Sequence, residues 1–272
     1  MTLRHAVFVF YKFFFRDNPL LRRVFQVKKM RRIRFGVLSG WRFYSALSDG
    51  LWMSLGLYER DGQRWLRGHL AGNPNFIAID AGSYLGFYSL LIARLLHQTG
   101  GGTVYAFDPN PENIACVQRS AAANPDAKVV TVCKALGSHC GSICGSVGRE
   151  ISMVNLSLAA AADSPRFEIV TLDSLFESGQ LPRADFLKID VDGFEVELLR
   201  GAERLLAACR PRILIELHTH ALAIGAHDLL ATHGYAFTDL TGHVVSRDSL
   251  AKAPMAFDMW CEPSPKPAQA IA

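Results

Sequence analysis

The sequence lacks the features that mark several protein classes. No run of about 18 uncharged apolar residues occurs in the 272-residue chain, so no segment is predicted to cross a bilayer as a single helix. The six cysteines show neither the spacing of a disulfide framework nor that of a structural zinc site, so we expect a reducing compartment, the cytoplasm. Internal repeats and long low-complexity linkers are also absent. What remains is a chain that is half apolar, enough for one large α/β core.

Acidic residues are almost missing from the N-terminal segment. Residues 1–35 contain ten Lys or Arg and one acid, Asp17, while the whole chain carries a net charge of +4. The remainder is therefore acidic on balance, and a basic, aromatic-rich segment ahead of it indicates an anionic partner. One hypothesis is peripheral membrane contact through residues 1–35, which would make the protein cytoplasmic and membrane-peripheral. The other is a solvated basic face whose aromatic side chains pack on the body.

Alternating strand and helix patterns between residues 73 and 223 predict a mostly parallel, doubly wound sheet. Core strands are predicted at 76–80, 104–107, 129–133, 186–190 and 213–217, a further β segment at 167–171, and a late antiparallel strand at 256–260. Helices are predicted at 87–97, 111–123, 172–178 and 194–207. We expect an N-terminal helical extension over 1–72, a catalytic domain over 73–262 and a flexible tail over 263–272. The segment 138–165 receives no assignment.

Acidic residues stand where the predicted strands end. Asp80, Asp108 and Asp190 each follow a buried run, and a fourth strand ends in Glu216-Leu217-His218. An unpaired carboxylate inside a strand is costly, so acids placed only at strand ends are informative. In an open parallel sheet, ligands bind beyond the carboxyl ends of the strands. The sequence therefore predicts one ligand site at this edge.

The first of these strands leads into a glycine turn, D-x-G-x-x-x-G, with Asp80, Gly82 and Gly86. It is not the G-x-G-x-x-G turn that admits a pyrophosphate, and an acid there suits the amino and sulfonium groups of S-adenosylmethionine. Asp108 follows at the spacing of a ribose-binding carboxylate. Taken singly, each glycine is typical of an ordinary turn, Asp80 of a helix N-terminal acid, and Asp108 of an Asp-Pro turn. Their order on successive strand ends favours a nucleoside cofactor.

Several runs together resemble the FkbM-type methyltransferases. They are I-D-A-G-S-Y-L-G-F-Y-S-L at 79–90, V-Y-A-F-D-P-N-P-E-N at 104–113, T-L-D-S-L at 171–175, F-L-K-I-D-V-D-G-F-E at 186–195, L-R-G-A at 199–202 and P-R-I-L-I-E-L-H at 211–218. Upstream, G-L-Y-E at 56–59 resembles the entry segment of that family. The order and spacing agree over about residues 50–220. The resemblance implies a Rossmann-like class I methyltransferase that uses S-adenosylmethionine to methylate a hydroxyl group.

The resemblance also implies site residues and an acceptor class. The residues expected to bind the cofactor are Glu59, Asp80, Gly82, Tyr84, Gly86, Asp108 and Asp190. Two departures from the family pattern are Tyr84, where the usual turn has Asn, and Asp192, where the usual run has Glu. The expected partner is a small-molecule hydroxyl acceptor such as a sugar, a polyketide or a lipid-linked molecule. The sequence defines neither the oligomeric state nor which of these acceptors is used.

Removing a proton from the acceptor hydroxyl requires a base or a metal ion. His218 is the first candidate base, and Asp190 and Asp192 are alternatives for the base or for binding the hydroxyl. With Glu216 these acids could instead hold a Mg²⁺-type cation, although a metal is not favoured. Structural explanations stay open: a histidine bonded at the sheet edge for His218, and an acid paired with a basic neighbour for Glu216.

A second function class is a nucleic-acid-associated module or RNA methyltransferase that uses the basic N-terminal arm. Basic residues would contact phosphates and the aromatics of the arm would stack on bases. The basic residues do not alternate regularly with the aromatics and the rest of the chain is acidic, so we expect no nucleic-acid partner. A third hypothesis is an inactive relative that keeps only the fold.

Overall fold

The computed structural model describes residues 26–147, 154–157, 165–252 and 257–265. The first 25 residues, with most of the predicted membrane-contacting segment, lie outside the described residues, as do residues 266–272 of the predicted tail. Among the described residues, no helix is both long and apolar enough to span a membrane.

Thirteen strands and nine helices make up the described part of the chain. The strands are β1 (Lys29–Arg32), β2 (Arg42–Ser45), β3 (Ile77–Ala81), β4 (Thr103–Phe107), β5 (Val129–Val132), β6 (Ala135–Leu136), β7 (Gly141–Val147), β8 (Val154–Ser157), β9 (Arg166–Val170), β10 (Phe186–Ile189), β11 (Arg212–Leu217), β12 (Tyr235–Thr238) and β13 (Phe257–Pro263). The helices are α1 (Leu47–Leu55), α2 (Arg60–His69), α3 (Phe87–Thr99), α4 (Pro111–Ala122), α5 (Leu172–Glu177), α6 (Glu195–Arg200), α7 (Glu203–Cys209), α8 (His220–Thr232) and α9 (Arg247–Leu250).

A seven-stranded sheet in the order β12-β13-β11-β10-β3-β4-β5 forms the centre of the fold. All its strands run parallel except β13, which is antiparallel to both of its neighbours. The sheet confirms the predicted Rossmann-like architecture, including the late antiparallel strand. The chain runs outward from β3 to β5 and later returns to the other side of β3 with β10. Strand order therefore reverses between β3 and β10, which is where such sheets bind ligands.

The helices α3, α4 and α5 lie within two residues of their predicted bounds. The Asn110 side chain accepts a hydrogen bond from the Glu112 N–H, and Pro111 occupies the first helical position of α4. Gly100 ends α3, which buries almost every face between the sheet and its neighbours. Every residue of the strands β3 and β10 is buried, so both faces of these strands are covered. This is expected of strands in a parallel sheet whose residues form continuous apolar runs.

The helix predicted over 194–207 is divided into α6 and α7. The division falls at Gly201, where an added Cβ would lie 1.9 Å from the carbonyl oxygen of Gly137. The Gly201 carbonyl instead accepts a hydrogen bond of 2.9 Å from the Asp173 N–H. Close approach of a neighbouring backbone therefore interrupts a helix that its apolar pattern alone would continue.

The unassigned segment 138–165 contributes to a second, smaller sheet. Its described part supplies β7 and β8, which join β6 and β9 in the order β6-β9-β7-β8. Ile143 and Ile169 of this sheet pack with Phe194, at the start of α6. The small sheet therefore packs against the segment that connects β10 to α6, beyond the carboxyl end of β10.

The extension predicted as helical contains a β-hairpin as well as helices in its described part. The strands β1 and β2 pair antiparallel, and α1 and α2 follow. The Asn124 side chain bonds both the N–H (2.8 Å) and the carbonyl (2.7 Å) of Arg42, which attaches the hairpin to the end of α4. Phe43 and Leu66 are fully buried in one hydrophobic cluster with residues of the sheet. A division of domains at residue 72 stays a prediction, since this cluster extends across it.

Candidate active site

A cavity of about 310 Å³ opens at the carboxyl ends of β3, β4, β10 and β11, within the range of roughly 300–1,000 Å³ typical of small-molecule sites. Its lining combines apolar and aromatic side chains with a group of ionisable ones. The ionisable residues are Tyr58, Asp80, Tyr84, Tyr88, Asp108, Lys134, Lys188, Asp190, Asp192, Glu216 and His218. The cavity lies at the reversal of strand order, where the topology places a ligand.

Gly82 joins three strand ends at the floor of the cavity. Its φ is +82°, and an added Cβ would lie 1.7 Å from the carbonyl oxygen of Asp190. The N–H groups of Gly82 and Ser83 both donate to the Phe107 carbonyl, at 2.9 and 2.8 Å. The turn thus binds the ends of β3, β4 and β10 together, and only glycine fits there. Gly86, at φ +87°, allows close packing against α4: an added Cβ would lie 2.9 Å from the Val117 side chain.

The two departures from the family pattern both fall in the left-handed region. Tyr84 has φ +46°, a conformation that Asn adopts more readily than an aromatic residue. Asp192 also has φ +46°, and Asp tolerates this region better than Glu. Tyr84 therefore adds backbone strain to the cofactor turn, whereas Asp192 suits its position.

The Asp108 carboxylate is held in place by three donors. Its Oδ2 accepts from the Tyr84 N–H at 2.9 Å, and its Oδ1 accepts from the Asn110 N–H at 2.8 Å and the Asn113 side chain at 3.1 Å. A carboxylate has about four acceptor positions, so capacity remains on Oδ2 for a ligand hydroxyl. Burial raises the pKa of Asp108 to about 7, against the effect of these hydrogen bonds.

Asp80 is buried beneath the same turn. Its Oδ2 accepts from the Ser89 hydroxyl, and burial raises the pKa of Asp80 to about 6, although Ser89 and Lys188 act in the opposite direction. A positively charged ligand group nearby would stabilise its ionised form. The buried acid therefore suits a cationic cofactor rather than an anionic one.

Three carboxylates surround one nitrogen of His218. Its Nε2 lies 3.5 Å from Asp192, 3.7 Å from Asp190 and 3.9 Å from Glu216. Its Nδ1 lies 2.9 Å from Oε1 of Glu195, which has no exposed surface. The hydrogen bond to Glu195 raises the pKa of His218 to about 9, against burial and with the help of Asp190. The imidazole is therefore protonated at neutral pH.

Lys188 is a fully buried cation that the sequence interpretation missed. Its Nζ lies 3.8 Å from both Asp190 and Glu216, and 5.0 Å from the centre of the Tyr88 ring. Burial alone would lower the pKa of Lys188, but Asp190, Asp258 and Glu216 together raise it above its ordinary value. A lysine inside the buried run F-L-K-I is the sequence signal from which a compensating group of acids could have been inferred.

The carboxylates around these two cations hold their protons more tightly than usual. Burial, followed by the Asp190 charge, raises the pKa of Asp192 to about 6. The same two causes raise the pKa of Glu216 above its ordinary value, against the effect of Lys188. Asp192 is therefore ionised at neutral pH and is a stronger base than an ordinary carboxylate.

Two groups of residues have donor atoms close enough to hold one metal ion. Asp190, Asp192 and His218 form the first, and Glu59, Glu216 and Asp258 the second. Oxygen and imidazole donors are suitable for divalent cations, so the site could hold such an ion as well as move a proton.

The structure brings most of the predicted site residues together. The cavity is lined by the predicted cofactor residues Asp80, Gly82, Tyr84, Asp108 and Asp190, and by all four predicted catalytic residues, Asp190, Asp192, Glu216 and His218. Gly86 and Glu59 are not among the lining residues. The Glu59 carboxylate accepts from the hydroxyl of Tyr88, a lining residue. The roles assigned to these residues stay predictions.

The chain is similar to several known methyltransferases. The hexuronic acid methyltransferase AglP of Haloferax volcanii is 25% identical over 139 residues, which are 51% of this chain and 54% of AglP. The crystal structure of Methyltransferase FkbM from Methylobacillus flagellatus is 17% identical with a TM-score of 0.49, covering 71% of this chain and 45% of that one. The chain thus spans about half the length of these relatives.

M. jannaschii TYW2, solved in complex with AdoMet, is 12% identical with a TM-score of 0.45, over 87% of this chain and 84% of that one. The family model described as the Methyltransferase FkbM domain matches residues 80–245, from the Asp80 turn through β12. This match covers more than half of the chain and includes the strand ends that build the cavity. The chain belongs to the FkbM methyltransferase family.

Proposed function

We propose that the protein transfers a methyl group from S-adenosylmethionine to a hydroxyl oxygen of a sugar-type small molecule. The observation that carries the proposal is the juxtaposition of two sites in one cavity: the Asp108 carboxylate with spare acceptor capacity, and the charged group of Asp190, Asp192 and His218. The first suits a nucleoside and the second an acceptor hydroxyl.

The residues present fit this cofactor. Asp108 is buried, fixed by three donors and still able to accept from ribose hydroxyls. Asp80 places a carboxylate beneath the turn, where ammonium and sulfonium charges are favourable. Gly82 keeps the floor free of a side chain. When bound, S-adenosylmethionine supplies a methyl group on a positively charged sulfur, which retains the electron pair of the broken bond as a neutral thioether.

The protein's own contribution is to orient the acceptor and remove its proton. As the oxygen–methyl bond forms, the hydroxyl becomes strongly acidic, so a carboxylate suffices as the base. We assign this role to Asp192, which is ionised at neutral pH and lies 3.5 Å from His218. The hydroxyl proton moves to the Asp192 carboxylate and then to solvent, and the methyl ether remains.

His218 acts in this scheme as a fixed positive charge. Its proton on Nε2 faces Asp190 and Asp192 and can be donated as a hydrogen bond to the acceptor oxygen, while Glu195 holds the ring. The sequence prediction that His218 is the base requires the imidazole to lose this proton. The two roles therefore predict different pH profiles of methyl transfer.

The acceptor class rests on the polarity of the cavity and on the relative AglP, a hexuronic acid methyltransferase. Sugars present adjacent hydroxyls that paired acids such as Asp190 and Asp192 can bind. Polyketide and lipid-linked hydroxyls are the competing acceptors. We propose that no metal is required, since Lys188 and His218 already place positive charge beside Asp190 and Glu216.

The test is product formation with a donor that carries a deuterated methyl group. The enzyme is incubated with glucuronic acid glycosides, neutral hexosides, a hydroxylated macrolide and a single-stranded RNA, each with and without a chelator, and products are identified by mass spectrometry. We expect labelled methyl ethers of the sugars, with or without chelator. Asp192→Asn should lower kcat at least 100-fold with unchanged donor affinity. Labelled RNA, or methylation of nitrogen, would overturn the proposal.

A further inference from the structure

The β1–β2 hairpin carries cations without acidic partners. Between residues 26 and 48 the chain has six Lys or Arg and no Asp or Glu. Four exposed members of this group form no hydrogen bond or ion pair through their side chains with any described residue: Lys29, Arg32, Arg34 and Arg42. Elsewhere, exposed arginines are commonly paired with acids, as in Arg64–Asp61, Arg200–Glu197, Arg204–Glu177 and Arg247–Asp228.

Apolar side chains are exposed among these cations. Val27 is 46% exposed, Met30 37% and Phe35 52%, although the described chain exposes only a few large apolar residues. In the antiparallel register Met30 lies opposite Tyr44, and Arg32 lies opposite Arg42. Met30, Arg32 and Arg42 therefore share one side of the hairpin, and Arg34 and Phe35 are exposed just beyond β1; we call these five residues the hairpin face.

A groove of about 670 Å³ borders the hairpin face. Its lining includes Arg31, Arg32 and Arg34 and, from α1, Leu47 and Leu55. The same helix places Met53 in the lining of the candidate active-site cavity. The helix α1 thus contributes to both the groove and the cavity.

We propose that the hairpin face docks the protein on an anionic membrane surface. Unpaired cations attract the phosphates of anionic lipids, and exposed apolar side chains beside them enter the boundary between headgroups and acyl chains. Phe35 and Met30 supply the apolar part, and Arg32 and Arg34 the cationic part. A bilayer fits both components, whereas a nucleic acid would leave the aliphatic groups exposed. The proposal is independent of the acceptor, because it concerns where the enzyme binds and not what it methylates.

The test is sedimentation of the full-length protein with vesicles of phosphatidylcholine, or of phosphatidylcholine with about 30% phosphatidylglycerol. We expect binding to the anionic vesicles at least tenfold tighter than to the neutral ones. Arg32→Glu with Arg34→Glu should weaken that binding about tenfold or more, because both phosphate contacts reverse sign. Phe35→Ser should weaken it several-fold while preserving its dependence on salt.

The matched control is Lys128→Glu with Lys252→Glu, the same charge change at two exposed lysines outside the hairpin face. It should leave vesicle binding within twofold of the wild type. Melting temperature and donor affinity verify that each variant is folded. Equal binding to both vesicle types, or full binding by the Arg32/Arg34 variant, would overturn the proposal. So would saturable RNA binding without vesicle binding, which would assign the face to nucleic acid.

Discussion

The imidazole of His218 and the fully buried carboxylate of Glu195 form a pair, with 2.9 Å between Nδ1 and Oε1. The Gly193 N–H also donates to this Oε1, at 3.1 Å, so the carboxylate is itself held in place. A histidine that is bonded through one nitrogen presents the other in a fixed direction. Here that direction is toward Asp190 and Asp192, so Glu195 positions the charge on which the proposed chemistry depends.

Replacing Glu195 with Gln should release the proton of His218 at lower pH. Glu195 is the main cause of the raised pKa of about 9, so the pKa of His218 should move toward the ordinary 6.5. Titration of the imidazole signals by NMR measures this shift. The matched control is Glu197→Gln. Glu197 lies in the same first turn of α6 as Glu195, but its carboxylate pairs with Arg200. An unchanged pKa would contradict the assignment.

The same pair makes stability depend on pH. The folded pKa of His218 lies above its unfolded value, so its contribution is complete below about 6.5 and is lost as the pH rises through about 9. We expect the melting temperature of the wild type to fall over this window. In Glu195→Gln the fall should be smaller, since the difference between the two pKa values is smaller. Thermal unfolding followed by circular dichroism at a series of pH values measures both.

The pH profile of methyl transfer distinguishes the two candidate bases. If Asp192 accepts the proton, kcat/KM should rise through about pH 6, level off, and fall again as His218 loses its charge near pH 9. If His218 is the base, activity should instead rise through about pH 9 without a plateau below it. Asp192→Asn should remove the acidic limb only in the first case.

Donor affinity should depend on Asp108. Asp108→Asn keeps the shape of the side chain but removes the charge that strengthens hydrogen bonds from ribose hydroxyls, a loss of about 1.5–3 kcal/mol, or roughly 10- to 150-fold in affinity. Calorimetric titration with S-adenosylhomocysteine measures it. Asp126→Asn, an exposed acid beyond α4, is the control and should bind as the wild type does. Equal affinities in the two variants would count against a ribose site at Asp108.

Alanine substitutions at Gly82 and Gly193 should distinguish the cost of backbone strain from the cost of a steric clash. Gly82 and Gly193 both have positive φ, but a Cβ on Gly82 would collide with the Asp190 carbonyl, whereas a Cβ on Gly193 would meet no atom within 4 Å. Gly193→Ala should therefore cost only about 1 kcal/mol of unfolding free energy, and Gly82→Ala more than about 3 kcal/mol. Urea unfolding measures both. Similar losses of unfolding free energy in the two variants would mean that the turn after β3 can shift to accommodate the added methyl group.

The strand-end acids were predictable because parallel strands deliver their carboxyl ends to one edge of a sheet. Asp80, Asp108, Asp190 and His218 follow from that rule and from the order of the strands, and the structure places all four at one cavity. Their partners were not predictable to the same degree. In the sequence, Lys188 is only a charged residue that interrupts an apolar strand. Glu195 resembles any acid at the start of a helix, and only its distance from His218 distinguishes it.

The parts of the fold that were missed depend on contacts between distant segments. The strands β1 and β2 have four residues each, too few for a clear alternation, and their hairpin is fixed by Asn124 far along the chain. The small sheet forms because β6 and β9, separated by about 30 residues, pair in parallel. The break at Gly201 likewise comes from the backbone of Gly137. Local periodicity carries no information about any of these contacts.

The three hydrogen bonds that hold Asp108 have a consequence for how the cofactor pocket fills. Tyr84, Asn110 and Asn113 fix the carboxylate during folding, so no side-chain freedom has to be lost there when a ligand arrives. If Asp108 binds the ribose as proposed, this end of the cavity is pre-organised, and we expect it to bind as a rigid receptor in a single kinetic step. The strained backbone at Tyr84 is then a cost of folding that keeps its N–H directed at Asp108.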